Sequence, residues 1–113
     1  MITPRTDHLI DLALDEDAGL GDVTSRAIFP ASHRSRAVID VKQNLIVCGL
    51  EVAARVFSRV DPLLKTKLLA RDGDRMKPGA AVLRIEGPTG SLLTAERTAL
   101  NFLQLLSGVA TLP

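Results

Sequence analysis

Residues 81–106 read AVLRIEGPTGSLLTAERTALNFLQLL, and this stretch decides the fold. Ala81 to Glu86 reads as a strand, and Gly87-Pro88-Thr89-Gly90 breaks it. Ser91 is placed to cap the longest helix, about residues 92–106, which Ser107-Gly108 ends. On a 3.6-residue period Leu92, Ala95, Ala99, Leu103 and Leu106 share one apolar stripe, a face that needs a sheet to cover.

The rest of the chain supplies that sheet. Thr6 is placed to cap a helix over about 7–17, with Leu9, Ile10, Ala13 and Leu14 as its apolar face and Gly19 as its end. Gly19-Leu20-Gly21-Asp22 opens a loop that Phe29-Pro30 closes. Arg36 to Gln43 alternates through Ala37, Ile39 and Val41 like a half-buried strand, and Leu45 to Cys48 is a second apolar run after a turn at Asn44. Gly49 switches to a helix over about 50–60, carried by Leu50, Ala53, Ala54, Phe57 and Val60. Lys65 to Ala70 is a further strand, and the turn-rich segment 71–79 leads back to Ala81. The expected class is α+β, a small antiparallel or mixed sheet of about four strands with helices on one face, in a single domain over 1–113.

Composition narrows the function. The chain has 113 residues, 46% hydrophobic and 24% charged, normal for a globular domain. Fourteen Lys+Arg face thirteen Asp+Glu, so the net charge of +1 gives no reason to expect a nucleic-acid partner. Uncharged runs fall far short of the roughly 20 apolar residues of a membrane span, and no membrane partner is expected. The start, MITPRTDHLID, lacks an apolar signal-peptide core. A lone Cys48 makes no internal disulfide, which fits a cytosolic setting. The charge is nevertheless uneven. Residues 1–25 hold Arg5 against six acids, leaving thirteen bases and seven acids in the remainder. Either the two parts attract one another across the fold, or a basic face turns toward an anionic partner.

Most catalytic patterns are missing: no GxxxxGK[ST], HExxH, CxxC or GxSxG occurs. His8 and His33 stand apart from any metal-ligand spacing. Cys48 lies in an apolar run and reads as an inert thiol. Asp72-Gly73-Asp74 reads as a turn, because Met76 replaces the next oxygen of a calcium loop. Asp15-Glu16-Asp17 reads as a solvated helix end. The informative row is Thr94, Arg97, Asn101 and Gln104, a polar face with one guanidinium at its centre. Such a row suits a planar carboxylate or a phosphate, and equally a face turned to solvent. Glu96 points roughly 100° away from Arg97 and is not its natural partner.

The run Gly87 to Thr111, with Thr94-Ala95-Glu96-Arg97-Thr98-Ala99-Leu100-Asn101 at its heart, resembles the signature of the quinolinate phosphoribosyltransferase family. Glu16-Asp17 followed by Gly21-Asp22-Val23-Thr24-Ser25 resembles its N-terminal motif, and Val47 to Ala53 and Asp72-Gly73-Asp74 fit in order. Gly90 and Leu105 depart from the pattern, where Arg and a polar or basic residue are common. The resemblance implies an enzyme at least twice this length. In it a small N-terminal domain precedes an α/β barrel that binds phosphoribosyl pyrophosphate with Mg²⁺. The reaction joins quinolinate to the ribose, releasing pyrophosphate and CO₂ and forming nicotinate mononucleotide for NAD synthesis. The resemblance also implies that this chain is the N-terminal domain alone, without catalytic or metal-binding residues of its own, and inactive in isolation. It implies a homodimer in which Arg97, and more weakly Asn101, reach the substrate in the neighbouring barrel. A molybdenum-transport paralogue and a free-standing dimerisation or ligand-binding module are the alternatives.

Overall fold

The computed structural model describes residues 2–28 and 32–112, with 17–28 described in backbone only. Helix α1 spans Pro4–Ile28, β1 Arg34–Asp40, β2 Leu45–Ile46 and α2 Leu50–Val60. Then come β3 Lys65–Leu68, β4 Arg75–Met76, β5 Ala81–Pro88 and α3 Thr89–Thr111.

Strand β5 pairs antiparallel with both β1 and β3, giving a three-stranded sheet of order β1-β5-β3. A separate antiparallel ribbon joins β2 to β4. The expected α+β class stands, with the sheet divided into three strands and a two-stranded ribbon. Leu83 and Ile85 of β5 lie opposite Ile39 and Ala37 of β1 and turn toward the helices. They meet Ile10 of α1, Leu50, Ala53, Val56 and Phe57 of α2, and Leu92, Ala95, Ala99 and Leu103 of α3. The stripe expected on α3 is thus buried at Leu92, Ala95, Ala99 and Leu103, while Leu106 is only half-buried, and the alanines let the helix approach closely.

Several boundaries differ from expectation. Thr3, not Thr6, caps α1: its hydroxyl accepts the Thr6 N–H at 3.2 Å, and Pro4 takes the first helical position, where the missing N–H costs nothing. Helix α1 runs through Gly19 and Gly21 to Ile28, since a helical glycine costs only about 1 kcal/mol and does not forbid the conformation. Asp15 and Glu16 are thus exposed within the helix rather than at its end. The Asp17 and Asp22 side chains, the Gly21–Ser25 motif side chains and Phe29-Pro30 lie outside the described residues. On α1 Ile10 is buried but Leu9 faces solvent. Helix α3 begins at Thr89, with Pro88 rather than Ser91 as its N-cap, and continues past Ser107-Gly108 to Thr111. The segment 71–79 contains β4, hidden from periodicity because two residues show no period.

Helix α2 matches its expected limits. Gly49, in the left-handed region at φ 91°, offers no side chain to cap it. The Asp72 carboxylate does so instead, accepting the Leu50 N–H at 3.0 Å. Asp74 accepts the Arg71 N–H at 3.0 Å, so Asp72-Gly73-Asp74 is a turn, as read.

Candidate functional site

Burial of Leu92, Ala95, Ala99 and Leu103 fixes the rotation of α3 about its axis. That rotation turns Arg97, Asn101 and Gln104 outward, all exposed, while Thr94 is half-buried with its hydroxyl donating to the Gly90 carbonyl at 2.9 Å. Arg97 forms no ion pair among the described residues, Glu96 included. Its planar fork remains available to an oxyanion.

Leu93, Arg97, Asn101, Leu105 and Val109 recur every four residues and form one row along the helix. Leu105 and Val109 are 65% and 62% exposed, and Leu93 is 42%. The guanidinium and the amide therefore sit between apolar neighbours. Covered by another surface, that strip would exclude water around the cation and strengthen its hold on an anion. In the sequence Leu105 stood out only as a departure from the family pattern and Val109 not at all, although their spacing from Arg97 and Asn101 was the available signal. Leu100 and Phe102, off the main stripe, pack against the core.

Helix α3 is tied down along its length. At its start the Thr89 N–H donates to the His33 carbonyl at 2.8 Å, and the Thr89 hydroxyl meets His33 Nδ1 at 2.6 Å and Ser35 Oγ at 2.7 Å. The Ser91 hydroxyl donates to Asp61 at 2.7 Å. Near its end the Ser107 hydroxyl accepts the Cys48 N–H at 2.9 Å and donates to the Cys48 carbonyl at 3.1 Å. Thr111 accepts the Ile46 N–H at 3.0 Å. These bonds explain why Ser107-Gly108 does not stop the helix, and Cys48 takes part through its backbone. His8 is exposed.

Two carboxylate–guanidinium forks hold α1 against α2. Asp7 accepts from Arg55 Nε and a terminal nitrogen at 2.8 and 2.9 Å, and Asp11 is held in the same way by Arg59. The hydrogen bonds from Arg55 hold the Asp7 carboxyl below the usual carboxylate range, against the opposing effect of burial. Among the described residues no group of three or more His, Cys, Asp or Glu is placed to hold a metal ion. No helix among them is long and apolar enough to cross a membrane.

Comparison with known proteins converges on one family. The family pattern described as the quinolinate phosphoribosyl transferase N-terminal domain matches residues 22–107. The chain is 43% identical over 105 residues to quinolinate phosphoribosyltransferase (decarboxylating) 1b of Nicotiana tabacum, covering 92% of this chain and 30% of that protein. It is 41% identical to the chloroplastic nicotinate-nucleotide pyrophosphorylase (carboxylating) of Arabidopsis thaliana, again over 92% of this chain and 30% of the relative. Among solved structures, NadC from Streptococcus pyogenes superimposes with a TM-score of 0.91 at 38% identity, covering 98% of this chain and 40% of that one. The chain thus spans about a third of the length of the relatives it matches.

Proposed function

Because the chain belongs to the quinolinate phosphoribosyltransferase N-terminal domain family, we propose that residues 1–113 are the covering and dimerisation domain of such an enzyme. The proposed reaction joins quinolinate to phosphoribosyl pyrophosphate, releasing pyrophosphate and CO₂ and forming nicotinate mononucleotide. The observation that carries this reading is Arg97, exposed in the Leu93–Val109 row and with no ion pair among the described residues. Quinolinate bears two carboxylates. A cation brought by a covering domain neutralises one of them and closes the site to water in the same movement. Asn101, one turn further along, adds a hydrogen-bonding amide. Mg²⁺ and the phosphoribosyl pyrophosphate ligands belong to the part of the enzyme outside this chain. The relatives' names favour this reaction over a molybdenum-transport paralogue or a non-catalytic module. The lone Cys48 fits a cytosolic setting, whereas the Arabidopsis relative is chloroplastic.

The test uses the full-length enzyme. Arg97→Ala should lower the specificity constant for quinolinate by about 10- to 150-fold, equivalent to the roughly 1.5–3 kcal/mol of a charge-assisted contact. Arg97→Lys should restore only part, because it keeps the charge and loses the two-point fork. Subunits lacking Arg97 are then mixed with subunits carrying a dead barrel. One site per heterodimer combines an intact barrel with an intact Arg97, so activity should return to about a quarter of wild type. A mixture as inactive as its parents, with subunit exchange confirmed, removes Arg97 from the neighbouring site.

A further inference from the structure

We propose that the outer face of the three-stranded sheet docks an acidic stretch of polypeptide on another protein. Residues directly opposite one another in neighbouring strands project from the same side. The register therefore builds two cross-strand rows on the side away from the helices: Arg36, Glu86 and Lys65 in one, and Val38, Arg84 and Lys67 in the next. Arg34 extends the pattern along β1, two residues before Arg36. The six side chains of the two rows line one continuous open depression. The face thus holds five cations and one carboxylate on a chain whose net charge is only +1.

Only one of these cations is neutralised. Arg36 pairs with Glu86 at 3.0 Å, while Arg34, Lys65, Lys67 and Arg84 have no ion pair among the described residues. Basic side chains on the edge strands β1 and β3 deter strand pairing with other chains. That explanation does not reach Arg84, which lies on the central strand. Arg84 stands directly opposite Lys67, and like charges so placed destabilise a sheet. An anionic partner would relieve that repulsion.

Geometry favours polypeptide over other anions. Arg34 and Arg36, like Lys65 and Lys67, lie two residues apart on one strand, about 6.6–6.8 Å. An extended segment with an acidic residue at every second position has the same repeat. Val38, 55% exposed on β1 beside Arg36 and opposite Arg84, offers it an apolar contact. Strands β1, β3 and β5 contain no aromatic residue on which nucleic-acid bases would stack.

The probe is poly-L-glutamate, titrated into the purified chain at about 50 mM salt, where exposed charge pairs are weakly screened. Arg84→Glu with Lys67→Glu should weaken binding at least tenfold. Arg71→Glu with Lys77→Glu, an equal charge change in the loop 71–79, should weaken it less than threefold. Should charge reversal unfold the chain, Arg84→Gln with Lys67→Gln removes the repulsion as well as the charge and should still weaken binding by threefold or more. Equal loss in the loop variant overturns the proposal. So does tighter binding of duplex DNA or of phosphatidylserine vesicles than of poly-L-glutamate. Self-association of the free chain that Arg84→Glu abolishes gives the face to a second copy and overturns it as well.

Discussion

At Gly87, where β5 passes into α3, an added methyl group would meet Leu64 Cδ2 at 2.9 Å and the Leu63 carbonyl oxygen at 3.1 Å. The backbone there has φ +151°, which side-chain-bearing residues rarely adopt. Gly49 also has a positive φ, +91°, but its added methyl would meet Leu106 Cδ1 at 2.6 Å, the far end of a side chain that can rotate. Gly87→Ala should therefore cost more, about 2–4 kcal/mol against about 1–2 for Gly49→Ala. Denaturant unfolding of the two variants checks this. The reverse order would mean that α3 packs on the Gly49 turn more rigidly than β5 joins α3. Arg97 should behave in the opposite sense. Exposed, and with no ion pair among the described residues, it should change stability by less than about 0.5 kcal/mol on replacement by Ala, whatever it does to turnover.

Between helices, the Asp7–Arg55 and Asp11–Arg59 forks repeat one turn apart on both α1 and α2, so the two contacts act as a clamp. A carboxyl held below its ordinary value stabilises the fold at pH above that value, about 3.9, and loses the contribution as pH falls through the lowered one. Helix α1 should thus loosen from α2 below about pH 4 and stay indifferent between pH 5 and 8. Asp7→Asn should reproduce part of that loosening at neutral pH and flatten the acid response. Amide exchange along α1 is the readout, and protection unchanged down to pH 3 would exclude the clamp. Elements with a long apolar period were legible in the sequence: the limits of α2 follow from Gly49 and the apolar period after it, and most of the buried stripe of α3 and the outward turn of Arg97 follow from spacing. Elements held by distant partners were not. Strand β4 exists because β2 is beside it, and α3 outlasts Ser107-Gly108 because Cys48 satisfies the Ser107 hydroxyl. The basic sheet face was visible only as an uneven charge count until the register placed Arg84 between β1 and β3.

Taken whole, the chain presents an apolar row it does not cover: Leu105, Val109 and Leu112 are 65%, 62% and 70% exposed. The isolated chain should self-associate through this row with increasing concentration, and Leu105→Glu should reverse the effect. A clean monomer at high concentration in sedimentation would contradict this. The same chain, incubated with quinolinate, phosphoribosyl pyrophosphate and Mg²⁺, should form no mononucleotide above a buffer control. The bonds that anchor α3 at Thr89, Ser107 and Thr111 bear on timing. The helix is a rod of about 34 Å fastened near both ends. A cation mounted on such a rod does not swing on a local hinge. If Arg97 closes over a substrate anion in a neighbouring subunit, as proposed, sheet and helices travel with it as one rigid lid, and the tempo of such a site is that of a whole domain's motion.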